Sequence, residues 1–313
     1  MNARALSRLA FALGACLLGS GCGDEEDAPP PRSTPTQPKR ATPPPVLPDV
    51  DPLKDWAAPA EGAELVAVPG IARKVPEVVV RDADGARMRL VPAGEFVMGG
   101  GEKATMGPAR RVVLSRAYFV DETEVTVAQY AKFEAATKPT RRFPDPPTAD
   151  AARLPRTEVT FAEARAFAAW AGCALPTEAQ WERAARGGED GAYPWGDTDD
   201  PAHRNGLGEA DGFAKLAPVA RFPPNAYGLF DMIGNAAELC DDVFLFRYHL
   251  AVADGAVDPH LATGGDAGSR PLRGGDYTKD GPHLRTRVRE SAPEAGGDDS
   301  VGFRCVREIR ERK

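Results

Sequence analysis

The second half of this chain has no long run of helical or strand periodicity, and this limits the folds open to it. After residue 187, Gly, Pro, Asn or Asp recurs every few residues, a pattern that predicts mostly loops with short strands. A long irregular region inside one domain usually has a functional reason or an added constraint such as a bound metal. The hydrophobic fraction of 42% can still build a core, which excludes a wholly disordered chain.

Regular structure is expected mainly in the first half. Apolar residues alternate on both sides of Asp84 and Gly85, as they do in a β-hairpin. Three helices are predicted after it, beginning at Thr126, Thr160 and Thr177. The second and third have Glu or Gln three residues after the Thr, which is the capping-box pattern of a helix start.

The first 22 residues have the features of an export signal, with two early arginines, a short apolar run and the small residues GSGC. The apolar run is shorter than the ~20 residues that a transmembrane helix needs. A cysteine directly after such a site resembles the lipobox of bacterial lipoproteins, in which the thiol is acylated. We expect acylation at Cys22, with Cys16 as one alternative and an ordinary cleaved secretory signal as another. Gly23, in place of an Asp retention signal, favours an outer-membrane lipoprotein that faces the periplasm or the cell surface.

Residues 23–60 differ in composition from the rest of the chain, because Pro recurs among Ser, Thr, Asp and Lys. Such a segment buries too little apolar surface to offset the ordering of its backbone. Its Pro content favours extended polyproline geometry. We therefore predict a disordered, semi-rigid tether that holds a folded domain away from a membrane, with a ligand for Pro-binding modules as the alternative.

Charge and motif content exclude several classes of function. The formal net charge is −7, which argues against a general nucleic-acid-binding surface. The strings GxSxG, HExxH and CxxC, typical of serine hydrolases, zinc proteases and thioredoxins, do not occur. The four histidines stand in polar, Gly- and Pro-rich surroundings, which is typical of surface positions.

Two stretches have the composition of calcium sites. NGLGEADGF at 205–213 and DMIGNAAE at 231–238 combine acidic or amide side chains with glycine. Glycine lets backbone carbonyls turn inward, and Ca²⁺ takes six to eight oxygen ligands from such mixtures. Ordinary turns with capping Asp and Asn residues are the alternative interpretation.

Several uncommon strings occur between Met88 and Glu308, namely LVPAGEFVMGG, FVDETEVTVAQYAKF, VTFAEARAFAAWAG, LPTEAQWERAARGG, YPWGD, APVARFPPNAYGLFDMIGNAAEL, PLRGGDY and VGFRCVRE. In order and spacing they resemble the formylglycine-generating enzyme (sulfatase-modifying factor) family. The resemblance implies a single α+β domain with C-type-lectin-like topology, low in regular structure and stabilised by calcium. It assigns 88–308 to that domain, 61–87 to an N-terminal strand or hairpin extension, and 309–313 to a charged tail.

The resemblance also makes the calcium hypothesis more specific. One family site uses an Asn side chain, the following carbonyl, an Asp side chain and a further carbonyl. The other site here has Asp where the family more often has Asn, and a carboxylate is still a hard oxygen ligand. The matching positions are Asn205, Gly206, Asp211 and Phe213 for the first site, and Asp231, Gly234, Ala236 and Glu238 for the second.

The catalytic part of the family does not carry over. Active members oxidise a substrate cysteine to formylglycine with O₂ and a copper ion, which two cysteines shortly after an RGG motif hold. Here the stretch after Arg273-Gly274-Gly275 contains no cysteine, and Lys279 and Leu284 fall near the two thiol positions. Neither side chain replaces a soft thiolate ligand of Cu(I). We therefore expect neither a copper site nor formylglycine formation.

The leading hypothesis is a membrane-tethered, non-catalytic binding or scaffolding module whose loops contact a protein or glycan partner. An exported oxidoreductase with another residue set in the same cleft is the competing hypothesis. A domain that only stabilises a neighbouring complex is the third. The candidate cleft residues, which the resemblance brings together, are Tyr277, Lys279, His283, Arg287 and Arg289. For Arg289, followed by the acidic Glu290, a structural ion pair is the alternative role.

The remaining cysteines are assigned by the resemblance and by composition. Some family members have a half-cystine at the position of Cys305, so the resemblance allows a Cys173–Cys305 disulfide in an oxidising compartment. Cys240 is expected to pack as a small buried apolar residue.

Overall fold

The computed structural model describes residues 56–57, 62–69, 74–101, 106–144, 149–266 and 268–309, the first pair by backbone only. The predicted signal with Cys22, nearly all of the predicted tether and residues 310–313 lie outside the described residues. Within the described stretches, no helix is both long and apolar enough to span a membrane.

Short strands form four small sheets. The strands are β1 (Trp56–Ala57), β2 (Leu65–Val66), β3 (Val75–Pro76), β4 (Val78–Arg81), β5 (Arg87–Val91), β6 (Gly94–Met98), β7 (Arg110–Leu114), β8 (Tyr118–Asp121), β9 (Ala237–Leu239), β10 (Ala256–Val257), β11 (Ser269–Arg273), β12 (Arg289–Pro293), β13 (Val301–Gly302) and β14 (Val306–Glu308). The hydrogen-bonded orders are β1-β4-β5-β8-β14, β10-β7-β6, β12-β11-β9-β13 and β2-β3. Most neighbours are antiparallel, while β10 with β7 and β13 with β9 are parallel.

The three predicted helices are confirmed, and each begins directly after its predicted Thr. The hydroxyl oxygens of Thr126, Thr160 and Thr177 accept the backbone N–H of the residue three positions on, and a reciprocal side-chain bond completes each capping box. The helices are α1 (Val127–Thr137), α2 (Ala149–Ala152), α3 (Phe161–Trp170), α4 (Glu178–Arg186) and α5 (Tyr248–Ala251), with one-turn 3₁₀ helices at Pro201–His203 and Gly281–His283.

The predicted hairpin and the loop-rich second half are also confirmed. Strands β4 and β5 pair around the turn at Asp84 and Gly85, where Gly85 has a φ of +82°. This hairpin belongs to the same sheet as β8 and β14. Beyond α4, the described residues form only short elements joined by turns.

The core consists of two clusters of buried side chains. The first packs α1 and α3 on strands and includes Tyr130 and Phe167, which stack with ring centroids 5.6 Å apart, and Phe303 at 5.4 Å from Phe167. The second surrounds Trp181 on α4. Because α4 has no exposed residue, it must satisfy its charged side chains inside the protein.

Buried arginine–carboxylate ion pairs neutralise these charged side chains. Arg273 at the end of β11 has 0% exposure, and its Nη2 lies 2.5 Å from Oε2 of Glu182 and its Nη1 lies 3.5 Å from Oε2 of Glu178. Arg304 also has 0% exposure, and its Nη2 lies 2.7 Å from Oε1 of Glu238 on β9. Arg273 thereby joins the loop-rich half to α4, and Arg304 joins two segments within that half.

Replacing Arg273 with Met should lower the free energy of unfolding by about 1–3 kcal/mol, because two buried carboxylates each lose one of their two guanidinium partners. Urea unfolding followed by circular dichroism measures the change. Arg247→Met, at an exposed position, is the control and should change stability by less than about 0.5 kcal/mol. Equal effects of the two substitutions would show that the buried pair does not hold the fold together.

Candidate functional site

In the first predicted calcium loop, the carboxylate of Asp211 binds the backbone of two of the other predicted positions. Asp211 accepts the N–H of Gly206 at its Oδ2 (2.8 Å) and the N–H of Phe213 at its Oδ1 (2.9 Å). Asn205 is fully buried, and its Nδ2 donates to the carbonyl of Lys215. Its Oδ1 is buried and has no hydrogen-bond partner in the described part of the chain. A buried, unpaired amide oxygen is costly, and a cation would satisfy it.

The second predicted loop lies directly beside the first. Asn205 forms a β-bridge with Gly234, and the N–H of Asn235 donates to the carbonyl of Asn205. Gly234 has a φ of +81°, and a Cβ there would lie 1.9 Å from the Asn205 carbonyl oxygen. Only glycine permits this contact.

Within the second loop, Asp231 is buried and its Oδ2 accepts the N–H of Ala220 at 2.7 Å. Burial raises its pKa to about 6. Glu238 is also buried, but its carboxylate already accepts from Arg304 and from Nε1 of Trp181. Asp231 is thus the less compensated of the two carboxylates.

Glu124 is a buried acid beside this loop that sequence reasoning did not identify. Its Oε1 accepts Nδ2 of Asn235 at 3.0 Å, and its Oε2 has no hydrogen-bond partner among the described residues. Burial, followed by the neighbouring Asp231 carboxylate, raises its pKa well above the ordinary value. The only sequence signal was an acid between apolar and β-branched residues, and it does not indicate a ligand.

These two loops fit a cation to different degrees. In the described part of the chain, no three His, Cys, Asp or Glu side chains converge as a metal cluster. A calcium site made largely of carbonyl and amide oxygens does not need such a cluster. The unpaired Asn205 Oδ1 fits the first site. The second has Asp231 and Glu124, each with a single hydrogen-bonded oxygen, but also a Glu238 already bound to Arg304.

A pocket of about 440 Å³ lies over the sheet β12-β11-β9-β13. Its floor follows the register of that sheet, because Leu272 lies opposite both Glu290 and Leu239. Residues from three further segments, 159–161, 276–279 and 296–300, complete the walls. The lining residues are Val159, Phe161, Leu239, Leu272, Asp276, Lys279, Glu290, Ser291, Ala292, Pro293, Gly296, Gly297, Asp298, Ser300 and Val301.

Of the five predicted cleft residues, only Lys279 lines this pocket. Its Nζ lies 3.4 Å from Oε2 of Glu290. Tyr277 precedes it on the same loop, and burial together with Asp299 raises the pKa of its hydroxyl. His283 is half-buried on the following 3₁₀ turn and contacts Asp280.

The two arginines lie elsewhere. Arg287 donates to the carbonyls of Gly100 and Asp190. Arg289 is 3% exposed and binds the carboxylate of Glu178 through two nitrogens. Successive side chains of a strand point to opposite faces. Glu290 therefore faces the pocket while Arg289 faces α4, and the five residues do not form one cluster.

The three cysteines in the described part of the chain, Cys173, Cys240 and Cys305, are free, buried thiols. Cys173 and Cys305 therefore do not form the disulfide that the resemblance allowed. The guanidinium of Arg81 lies beside Cys173, with its Nη1 3.5 Å from the Cys173 Sγ. Burial raises the pKa of both thiols and that of Cys240, which has 0% exposure as expected for a small packed residue.

Comparison with known proteins agrees with this architecture. Residues 75–309 match the sulfatase-modifying factor enzyme 1-like domain family. The formylglycine-generating enzyme of Streptomyces coelicolor is 31% identical over 278 residues, covering 69% of this chain and 87% of that protein. The enzyme of Mycobacterium tuberculosis is 37% identical over 182 residues, covering 52% of this chain and 60% of its own length.

Two further similarities bear on function and fold. A Bos taurus protein named inactive C-alpha-formylglycine-generating enzyme 2 is 36% identical over 168 residues, covering 49% of this chain and 50% of that protein. The solved structure of PvdO from Pseudomonas aeruginosa superposes with a TM-score of 0.65 at 27% identity, covering 74% of this chain and 97% of PvdO. The predicted α+β fold with C-type-lectin-like topology is confirmed, and the chain belongs to the sulfatase-modifying factor family.

Proposed function

We propose that this protein is an exported, membrane-tethered, non-catalytic binding or scaffolding module built on a formylglycine-generating-enzyme-like domain. The observation that supports a non-catalytic role is the position and burial of the cysteines. No cysteine follows the motif Arg273-Gly274-Gly275 before Cys305, and the three described cysteines are all buried.

The donor set does not fit Cu(I). Lys279, near the first expected thiol position, is an ammonium paired with Glu290. Leu284, near the second, has 0% exposure within the apolar core. A soft monovalent copper ion prefers thiolate or thioether ligands, and the raised thiol pKa values keep Cys173, Cys240 and Cys305 protonated at neutral pH. The inactive Bos taurus relative is a precedent for this fold without the activity.

The purified protein, supplied with copper, O₂ and a cysteine-containing sulfatase peptide, should form no aldehyde above background, because no thiolate pair binds the metal. Mass spectrometry of the peptide after hydrazide trapping measures the product. The Streptomyces coelicolor enzyme under the same conditions is the positive control. Turnover by the protein itself would overturn the proposal.

An exported oxidoreductase with other residues remains the second candidate function. It is favoured by one observation, which is that the pocket of about 440 Å³ carries ionisable side chains. Metal analysis of protein purified from its native source separates the two proposals. A redox metal in stoichiometric amount would support the oxidoreductase. Protein that binds its partner but contains no redox metal would support the module.

Calcium is proposed as the structural cofactor of both loops. Asn205, Gly206, Asp211 and Phe213 would hold one ion, and Asp231, Gly234, Ala236 and Glu238 the other. The unpaired Asn205 Oδ1 and the buried acids near Asp231 support this assignment. Bound ions would supply positive charge and cross-link loops that have few regular hydrogen bonds.

Removing calcium with a chelator should lower the melting temperature by several degrees, since a ligand at 100 times its Kd stabilises by about 2.7 kcal/mol. Calorimetry with and without chelator measures the shift. Asp211→Asn and Asp231→Asn should each make the chelator-induced shift smaller. Asp254, which is half-exposed and paired with Arg111, is the control, and Asp254→Asn should leave the shift unchanged. An unchanged melting temperature with no calcium in elemental analysis would remove both sites.

The tether is proposed from the sequence of residues 1–60. Cys22→Ser should move the protein from the membrane fraction to the soluble fraction, because the acyl chains would no longer be attached. Fractionation after labelling with radioactive palmitate measures both location and acylation. Cys16→Ser is the matched control and should keep the label. If Cys16→Ser alone removed the label, the acylation site would be reassigned.

A further inference from the structure

We propose that the 440 Å³ pocket binds a cationic side chain, Lys or Arg, presented by a protein partner. This rests on the proposed function as a binding module and names the chemistry that the partner presents. The ionisable lining residues are Asp276, Glu290, Asp298 and Lys279. Three carboxylates and one ammonium give the pocket a formal charge of −2.

The acidic groups are held in place by the fold. Asp276 is 4% exposed, and its Oδ1 accepts both the N–H and the hydroxyl of Thr278. Asp298 accepts the hydroxyl and the N–H of Ser300, and these bonds lower its pKa. Preorganised carboxylates lose little entropy when they bind a cation.

The floor suits the hydrocarbon part of such a side chain. Leu239, Leu272 and Val301 form an apolar surface below the carboxylates. Lysine and arginine place their methylene groups on apolar surface while the charged end contacts polar groups. An apolar floor with carboxylates beside it matches that distribution and disfavours an anionic ligand.

Lys279 is an internal competitor for the same position. It pairs with Glu290 at 3.4 Å, and the two side chains are 33% and 30% exposed. Partly exposed ion pairs at this distance are weak, so an incoming cation with better geometry can replace the ammonium at Glu290. Removing Lys279 should therefore strengthen binding, while removing the Glu290 charge should weaken it. A purely structural role for the pair predicts no such opposite effects.

The test uses the full-length lipoprotein in detergent and labelled amidated peptides of sequence Ala-Leu-Xaa-Leu-Ala, followed by fluorescence anisotropy. We expect the peptides with Lys or Arg at Xaa to bind about tenfold more tightly than the norleucine peptide. Glu290→Gln should weaken Lys-peptide binding several-fold, and Lys279→Ala should strengthen it. Asp254→Asn, in another sheet, should leave it unchanged, and melting curves establish that each variant is folded.

Equal binding of the lysine and norleucine peptides, or weaker binding in Lys279→Ala, would overturn the pocket assignment. Calcium binding that Glu290→Gln removes, with no binding of any peptide, would also overturn the assignment in favour of a divalent-cation site. These results are distinct from the result that would overturn the proposed function. That result is aldehyde formation by the protein. A partner captured equally well by Glu290→Gln would leave the module intact and exclude this pocket as its contact.

Discussion

Buried ion pairs hold this domain together where regular secondary structure is scarce. Arg273 lies at the end of β11 and binds Glu178 and Glu182 of α4, while Arg304 joins the segment before β14 to Glu238 on β9. Each guanidinium is fully buried, so any acceptor for its donors must lie inside the protein, and Nε and Nη1 of Arg273 have no hydrogen-bond acceptor among the described residues. Carbonyls supply several of the other acceptors, as Arg304 also donates to Asp121, Glu122 and Phe230. The loops are thereby fixed by charge and hydrogen bonding.

The same sheet separates structural residues from those available to a ligand. Along β12, Arg289 points towards α4 and forms an ion pair with Glu178, whereas Glu290 points into the pocket. Across the sheet, Leu272 and Leu239 continue the row that begins at Glu290. Residues adjacent in sequence therefore have unrelated roles. The chemistry of the cleft can change, as at Lys279, without disturbing the pairs on the other face.

Helix starts, the hairpin and the loop-rich half were predictable because their signals are local. A Thr three residues before Glu or Gln fixes a capping box at Thr160 and Thr177 whatever surrounds it. The directions of buried long side chains were not predictable, since they depend on partners distant in sequence. Arg289 was expected at the cleft, yet its partner Glu178 lies 111 positions away. Glu124 and Asn235 escaped notice for the same reason, as their contact joins residues 111 positions apart.

The central claim is that this domain keeps the family fold but has no thiolate site for copper. The Cu(I) affinity of the purified, reduced protein, measured by competition with a colorimetric chelator, tests it most directly. The account predicts no stoichiometric high-affinity binding and no change on replacing Cys173, Cys240 and Cys305 with Ser in folded variants. One tightly bound Cu(I) per chain, lost when a cysteine is replaced, would contradict it.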